Sequence, residues 1–134
     1  MTGPIPVALV ILHRDGRVLL QHRDDKPEIR WPGAWAIFGG ALEAGESPDQ
    51  AARREMEEEL GLVLAGPLAL VCHEVDEDRE RWVFAAPLPV PPEDLTLMEG
   101  QGMALLAPEE LDDYAVVPLH RRFLAQFEAA RTLN

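Results

Sequence analysis

Three carboxylates between Ser47 and Leu60 are spaced to act together. At 100° per residue, Glu55, Glu58 and Glu59 fall within one arc of about 100°, because steps of three and four return to the same helix face. Ala52, Met56 and Leu60 form an apolar stripe beside that arc, and Glu59 adjoins Ala52, so the acidic face borders the buried one. Two carboxylates about 6 Å apart repel by roughly 3 kcal/mol at an effective dielectric of 20. Arg54 can reach Glu58 one turn on and offsets part of that repulsion; a divalent cation would offset the rest. A ligand set of hard oxygens suits Mg²⁺ or Mn²⁺, which keep waters and bind phosphates. The plain alternative is a solvated acidic face. Glu57 points away from Glu59 and is expected to pair with Arg53 at the surface.

The segment that must hold these acids is well signalled. Ser47 is an N-cap, Pro48 occupies the first helical position, and Gln50 completes a capping box. The helix is predicted to reach Leu60, with Gly61 as its stop. Before it, Trp35 to Phe38 reads as a short strand ending at Gly39-Gly40, whose freedom permits a tight entry into the helix.

Gly40, five residues, Glu46, seven residues, then Arg54-Glu55-Met56-Glu57-Glu58-Glu59-Leu60-Gly61-Leu62 resembles the Nudix box at every fixed position. The strand order on either side is similar too, so the likeness covers nearly the whole chain. It implies an α/β fold, a mixed β-sheet sandwiched between helices, and Mg²⁺-dependent hydrolysis of a diphosphate bond in a nucleotide-like small molecule, releasing a nucleoside monophosphate. It implies Glu55, Glu58 and Glu59 as metal ligands, with Glu58 or Glu55 helping to activate water. Glu46 and Arg54 match a structural pair locking the loop onto the helix, with Arg54 counted among the catalytic set. Gly39 matches a position whose carbonyl adds a metal ligand, and Gly40 one where a missing Cβ lets phosphate approach. Where many members have Leu-Pro-Gly-Gly, this chain has Ile37-Phe38-Gly39-Gly40, which bears on the subfamily alone.

Outside the box, Glu99 lies in the loop Met98-Glu99-Gly100-Gln101 and is the candidate for a further metal ligand or base; an exposed loop acid is the alternative. Arg23 follows the second strand and could reach a phosphate with its bidentate guanidinium, with Arg30 and Lys26 as weaker candidates. Trp31, Trp35 and Trp82 could stack on a base, although Trp82 reads better as a core anchor. The four histidines show no metal-ligand spacing and receive no role.

The remaining elements frame this site. Val7 to Leu12, Asp15-Gly16 and Val18 to Gln21 form a predicted hairpin; 24–33 is a loop. Leu68 to Val75 and Arg81 to Ala86 are predicted strands, Pro87 to Pro92 a loop, Gly102 to Leu106 a strand, Pro108 to Leu111 a helical turn, and Pro118 to Arg131 a closing helix. Over 134 residues this is one domain, 1–134. A net charge of −12 disfavours duplex nucleic acid and anionic membranes as partners, yet allows a phosphate substrate if metal ions stand between the anions. Cys72 is alone and is expected to be a buried thiol; Met1-Thr-Gly-Pro-Ile-Pro has no basic leader region, so a cytoplasmic protein is expected. A homodimer stays open, since the fold often pairs. Two other readings also stay open: a regulatory nucleotide-binding module, and an isoprenoid-diphosphate isomerase, which would want metal-binding histidines and a reactive cysteine.

Overall fold

The first apolar run forms β1 (Ile5–Arg14), and Asp15-Gly16 turns it into β2 (Arg17–His22). Both turn residues have positive φ, 53° and 77°, as a two-residue hairpin turn of this hand demands. The computed structural model describes residues 3–132; Met1 and Thr2 of the amino-terminal stretch lie outside them.

The later elements are β3 (Trp35–Ala36), β4 (Phe38–Ala41), α1 (Pro48–Leu60), β5 (Ala69–Val75), β6 (Arg79–Pro87), β7 (Gly102–Leu106) and α2 (Pro118–Thr132), with 3₁₀ turns at Pro92–Asp94 and Pro108–Asp113. They build a mixed sheet in the order β3-β2-β1-β6-β5, with β4 on β1 and β7 on β2. Among the named strands of the described residues, β1 and β6 form the parallel pair, and the other pairs are antiparallel.

The pairing explains where a cleft opens. β1 and β2 pair from Arg14↔Arg17 to Leu12↔Leu19, and then part company. Farther along, Val7–Val10 of β1 take β4 as partner, while Gln21 and His22 of β2 pair with β3. The sheet therefore splits between Gly39 on one lip and Gln21 on the other.

Strand alternation sends β1 side chains to two cores. Ala8, Val10 and Leu12 pack with Ala51, Ala52, Met56 and Leu60 of α1; Leu9 and Ile11 pack with Val83 of β6 and with Phe123 and Phe127 of α2. Helices cover both faces of one sheet, the α/β/α arrangement expected. No helix among the described residues is long and apolar enough to cross a membrane.

Three local expectations need correction. The strand expected at Trp35 to Phe38 is two strands broken at Ile37, and the second continues through Gly39-Gly40 instead of stopping there. Arg53 pairs not with Glu57 but with Asp49, at 2.6 Å, and donates to the carbonyls of Leu64 and Gly66, because the loop after α1 folds back beneath it. Cys72 is only half-buried, since β5 is the sheet edge and pairs on one side alone.

Candidate active site

The acids depend first on how α1 is entered and left. Ser47 accepts from the Gln50 amide and Gln50 accepts from the Ser47 amide, so the capping box closes as its spacing requires. At the other end Gly61, at φ 65°, donates to the Glu57 carbonyl. Two of the last carbonyls are taken up by a later loop. Those of Glu59 and Leu60 accept from the amides of Met98 and Thr96, at 2.9 and 3.2 Å. Main-chain bonds thus draw the Glu99 loop onto the end of α1 from far along the sequence.

The loop is fixed from the other lip as well. Gln21, buried in β2, donates from Nε2 to the Glu99 carbonyl at 3.0 Å, and the Gln101 amide donates to the His22 carbonyl at 2.7 Å. Gly100 has φ 90°, and a Cβ there would lie 2.7 Å from the His22 carbonyl oxygen, so the backbone passes too closely for any side chain.

Arg54 organises the near side of the site. Its Nε and Nη2 grip Glu46 at 2.7 and 2.9 Å, its Nη1 reaches Glu55 and Glu58 at 3.0 Å each, and Nη2 also donates to the Ala41 carbonyl. The Glu46–Arg54 pair therefore joins the loop to the helix. Its hydrogen bonds hold the Glu46 carboxyl below the usual range.

The three helical acids have different surroundings. Glu58 has a side chain 57% exposed, Glu55 one that is 15% exposed, and Glu59 is 5% exposed as a residue. Burial pushes the Glu59 carboxyl up to about 9, and the charges of Glu55 and Glu99 push the same way. Burial also raises Glu55, against the pull of Arg54. Glu59 Oε2 is buried without a hydrogen-bond partner. That is the unsatisfied oxygen that a cation would answer on displacing the proton.

Glu55, Glu59 and Glu99 are thus brought together, whereas Glu58 stands at the rim on Arg54. Among the described residues no group of three or more His, Cys, Asp or Glu side chains already stands in metal-holding geometry. Arg54 draws Glu55 and Glu58 toward itself, which keeps the carboxylates from closing on one point. Their chemistry nevertheless fits a hard divalent ion: oxygens only, one of them orphaned.

The glycines differ in what they make room for. A Cβ on Gly39, at φ 150°, would lie 2.1 Å from the Ala8 carbonyl oxygen. One on Gly40 would lie 2.5 Å from Glu55 Oε1. The space expected to admit phosphate at Gly40 is filled by the Glu55 carboxylate.

A cavity of about 560 Å³ opens where the sheet splits, lined by Gly39, Gly40, Glu59 and Glu99 at one end and by Arg23, Lys26, Arg30 and Trp31 along the 24–33 loop. Arg23 lines this cavity, its Nε bonded to the Arg30 carbonyl at 2.9 Å. Trp31 stands half-exposed on this wall, whereas Trp35 stacks on His22 and Trp82 on His73. The sequence reading missed Gln21, Arg81 and His120, which also line the cavity. For Arg81 a signal existed: it shares a strand face with buried Val83 and Ala85, so alternation turns its charge inward.

Known proteins are similar to this chain over most of its length. The family model described as NUDIX domain matches residues 3–130. The chain is 33% identical over 129 residues to the CTP pyrophosphohydrolase of Escherichia coli, covering 95% of this chain and 93% of that one. It is 44% identical over 98 residues, 73% of its length, to an octanoyltransferase of Myxococcus xanthus, of which that match spans only 23%. In the crystal structure of a MutT NUDIX hydrolase from Burkholderia pseudomallei, 93% of this chain and 98% of that one superpose with a TM-score of 0.78 at 26% identity. Fold, box and relatives agree, and the chain belongs to the NUDIX family of hydrolases.

Proposed function

We propose that this chain hydrolyses a diphosphate bond in a nucleoside diphosphate derivative with Mg²⁺, or Mn²⁺ in its place, and releases a nucleoside monophosphate. The observation that carries the proposal is the buried Glu59 Oε2, without a hydrogen-bond partner, beside Glu55 and Glu99 at one end of the cavity. Similarity over nearly the whole length to a relative named CTP pyrophosphohydrolase supports the reaction class.

In this reading Glu55, Glu58, Glu59 and Glu99, with the Gly39 carbonyl, hold the ion. A divalent ion bound there supplies positive charge against the diphosphate and acidifies water. Arg54 bonds both Glu55 and Glu58 and aims them, so either can accept the proton of the attacking water. Arg23 offers its guanidinium to the phosphate that leaves. Gly40 serves the reaction indirectly, by giving the Glu55 carboxylate its place. The lone cysteine and acidic surface suit a reducing cytoplasm.

The isomerase reading loses ground at Cys72, half-buried on edge strand β5 and absent from the cavity wall. The binding-module reading shares the cavity and is separated by turnover. Nucleoside triphosphates, oxidised nucleotides, nucleotide sugars and dinucleoside polyphosphates are incubated with Mg²⁺, and released monophosphate is resolved by chromatography. Monophosphate that appears with Mg²⁺ and disappears with EDTA is the expected result; no release from any substrate retires the proposal.

A further inference from the structure

The three tryptophans are not placed alike. Trp35 lies flat against His22 with ring centroids 4.5 Å apart, and Trp82 lies against His73 at the same separation. Trp31 has no such neighbour: among the described residues no aromatic ring or guanidinium stacks on it. It is half-exposed and lines the cavity that holds Glu59 and Glu99. It also borders a second cavity of about 330 Å³, beside Ala115 and Val116, so the indole stands between two openings.

The backbone beneath it is strained. Trp31 has φ 52°, a left-handed conformation that a bulky residue seldom adopts, and Pro32 after it narrows its choice further. Such a residue persists where its surroundings over-determine it, and the neck of the 24–33 loop does so. The Arg23 amide donates to the Ala34 carbonyl at 2.8 Å, and the Gly33 amide donates to the Asp24 carbonyl at 3.0 Å. Side chains reinforce the neck. Arg23 Nε donates to the Arg30 carbonyl, His22 Nε2 to the Gly33 carbonyl and Gln101 Nε2 to the Arg23 carbonyl, at 2.9, 3.1 and 2.8 Å. Gln101 belongs to the loop that carries Glu99, so the indole and the acids are held on one frame. None of these bonds uses the indole; the network fixes it without being built on it.

We propose that Trp31 is the stacking platform for the nucleobase and takes purine and pyrimidine alike. Hydrogen bonding along this cavity favours no single base edge, because Arg81 and Lys26 donate whereas Asp24 and Asp78 accept. Every base has a π-face, so a stacked indole adds affinity without selecting among them. The inference rests on the nucleotide reading of the site.

AMP and CMP carry a base but no diphosphate bond, and ribose 5-phosphate carries neither. All three are titrated into the protein in Mg²⁺, followed by tryptophan emission and by calorimetry. AMP and CMP are expected to quench emission and to bind more tightly than ribose 5-phosphate by about fivefold or more. In Trp31→Ala both nucleotides are expected to weaken by about fivefold or more, and ribose 5-phosphate by less than about twofold. Trp31→Phe keeps a π-face and should hold nucleotide affinity within about threefold of wild type. Its quench should vanish, because Trp35 and Trp82 already have ring partners; this variant decides the matter should Trp31→Ala not fold. Nucleotide affinity unchanged in Trp31→Ala, all three ligands weakened alike, a quench that survives in Trp31→Phe, or no binding of either nucleotide overturns the inference. Quenching without hydrolysis of any substrate retires the proposed reaction and leaves the platform standing; hydrolysis with Trp31→Ala at wild-type substrate affinity does the reverse.

Discussion

Arg54 and Glu46 are joined by two parallel hydrogen bonds, Nε to Oε2 at 2.7 Å and Nη2 to Oε1 at 2.9 Å. This fork fixes the guanidinium plane, and the plane decides where Glu55 and Glu58 point, because Nη1 is bonded to both. The ion pair matters more for aim than for attraction.

Arg54→Lys should therefore cost more activity than stability. An ammonium keeps the charge but cannot hold Glu46, Glu55 and Glu58 in one plane. Turnover is expected to fall at least roughly tenfold, while urea unfolding shows a loss of about 1–2 kcal/mol. A variant that keeps wild-type turnover would show that the fork does not direct the acids.

Gly39 and Gly40 should respond differently to alanine. At Gly39 the new methyl meets the Ala8 backbone, which cannot yield, and φ is 150°. A loss of more than about 3 kcal/mol is expected. At Gly40 it meets the end of the Glu55 side chain, which can swing aside. Gly40→Ala should fold with a melting temperature near wild type and lose most turnover, read by thermal melting beside a monophosphate-release assay.

Glu58 and Glu59 should separate turnover from ion binding. Glu58 stands exposed at the rim on Arg54, where a carboxylate can take a proton from water. Glu58→Gln is expected to cut turnover at saturating Mg²⁺ by at least about 100-fold. Its half-saturating Mg²⁺ concentration should move less than that of Glu59→Gln, as Mg²⁺ titration of both variants would show.

Stability without metal should carry the signature of Glu59. Its carboxyl ordinarily titrates at 4.5 and is pushed up to about 9 in the fold. A raised carboxyl binds its proton more tightly folded than unfolded, so the folded state is penalised as pH rises between those values. The penalty is absent below pH 4.5 and grows by about 1.4 kcal/mol per pH unit toward pH 9. His120, lowered to about 4, slopes the other way, but only below its ordinary 6.5. In EDTA, between pH 7 and 9, wild type should lose melting temperature relative to Glu59→Gln. Parallel curves would mean that Glu59 is ionised at no cost.

How far the sequence could be read follows from the range of each interaction. α1 was legible residue by residue, since Ser47, Pro48, Gln50 and Gly61 act on their own backbone neighbours. The acidic face was legible because helical periodicity is local. The differing burial of Glu55, Glu58 and Glu59 was not, because it depends on β4 and the 96–101 loop closing over one side of the helix. Arg53 misled for a related reason: its acceptors, the Leu64 and Gly66 carbonyls, belong to a loop whose return no pattern announced. That the Glu55 carboxylate lies where a Gly40 Cβ would stand is likewise a contact between segments that no local pattern announces.

The account turns on whether Glu59 trades a proton for a cation. Calorimetric titration of Mn²⁺ into metal-free protein at pH 7.5, repeated in buffers of different ionisation enthalpy, measures uptake and proton release together. The account predicts saturable uptake with close to one proton released per ion, and in Glu59→Gln an affinity weaker by at least roughly tenfold with that release gone. Uptake that is equally tight in both proteins with no proton released, or no uptake by wild type, would contradict it.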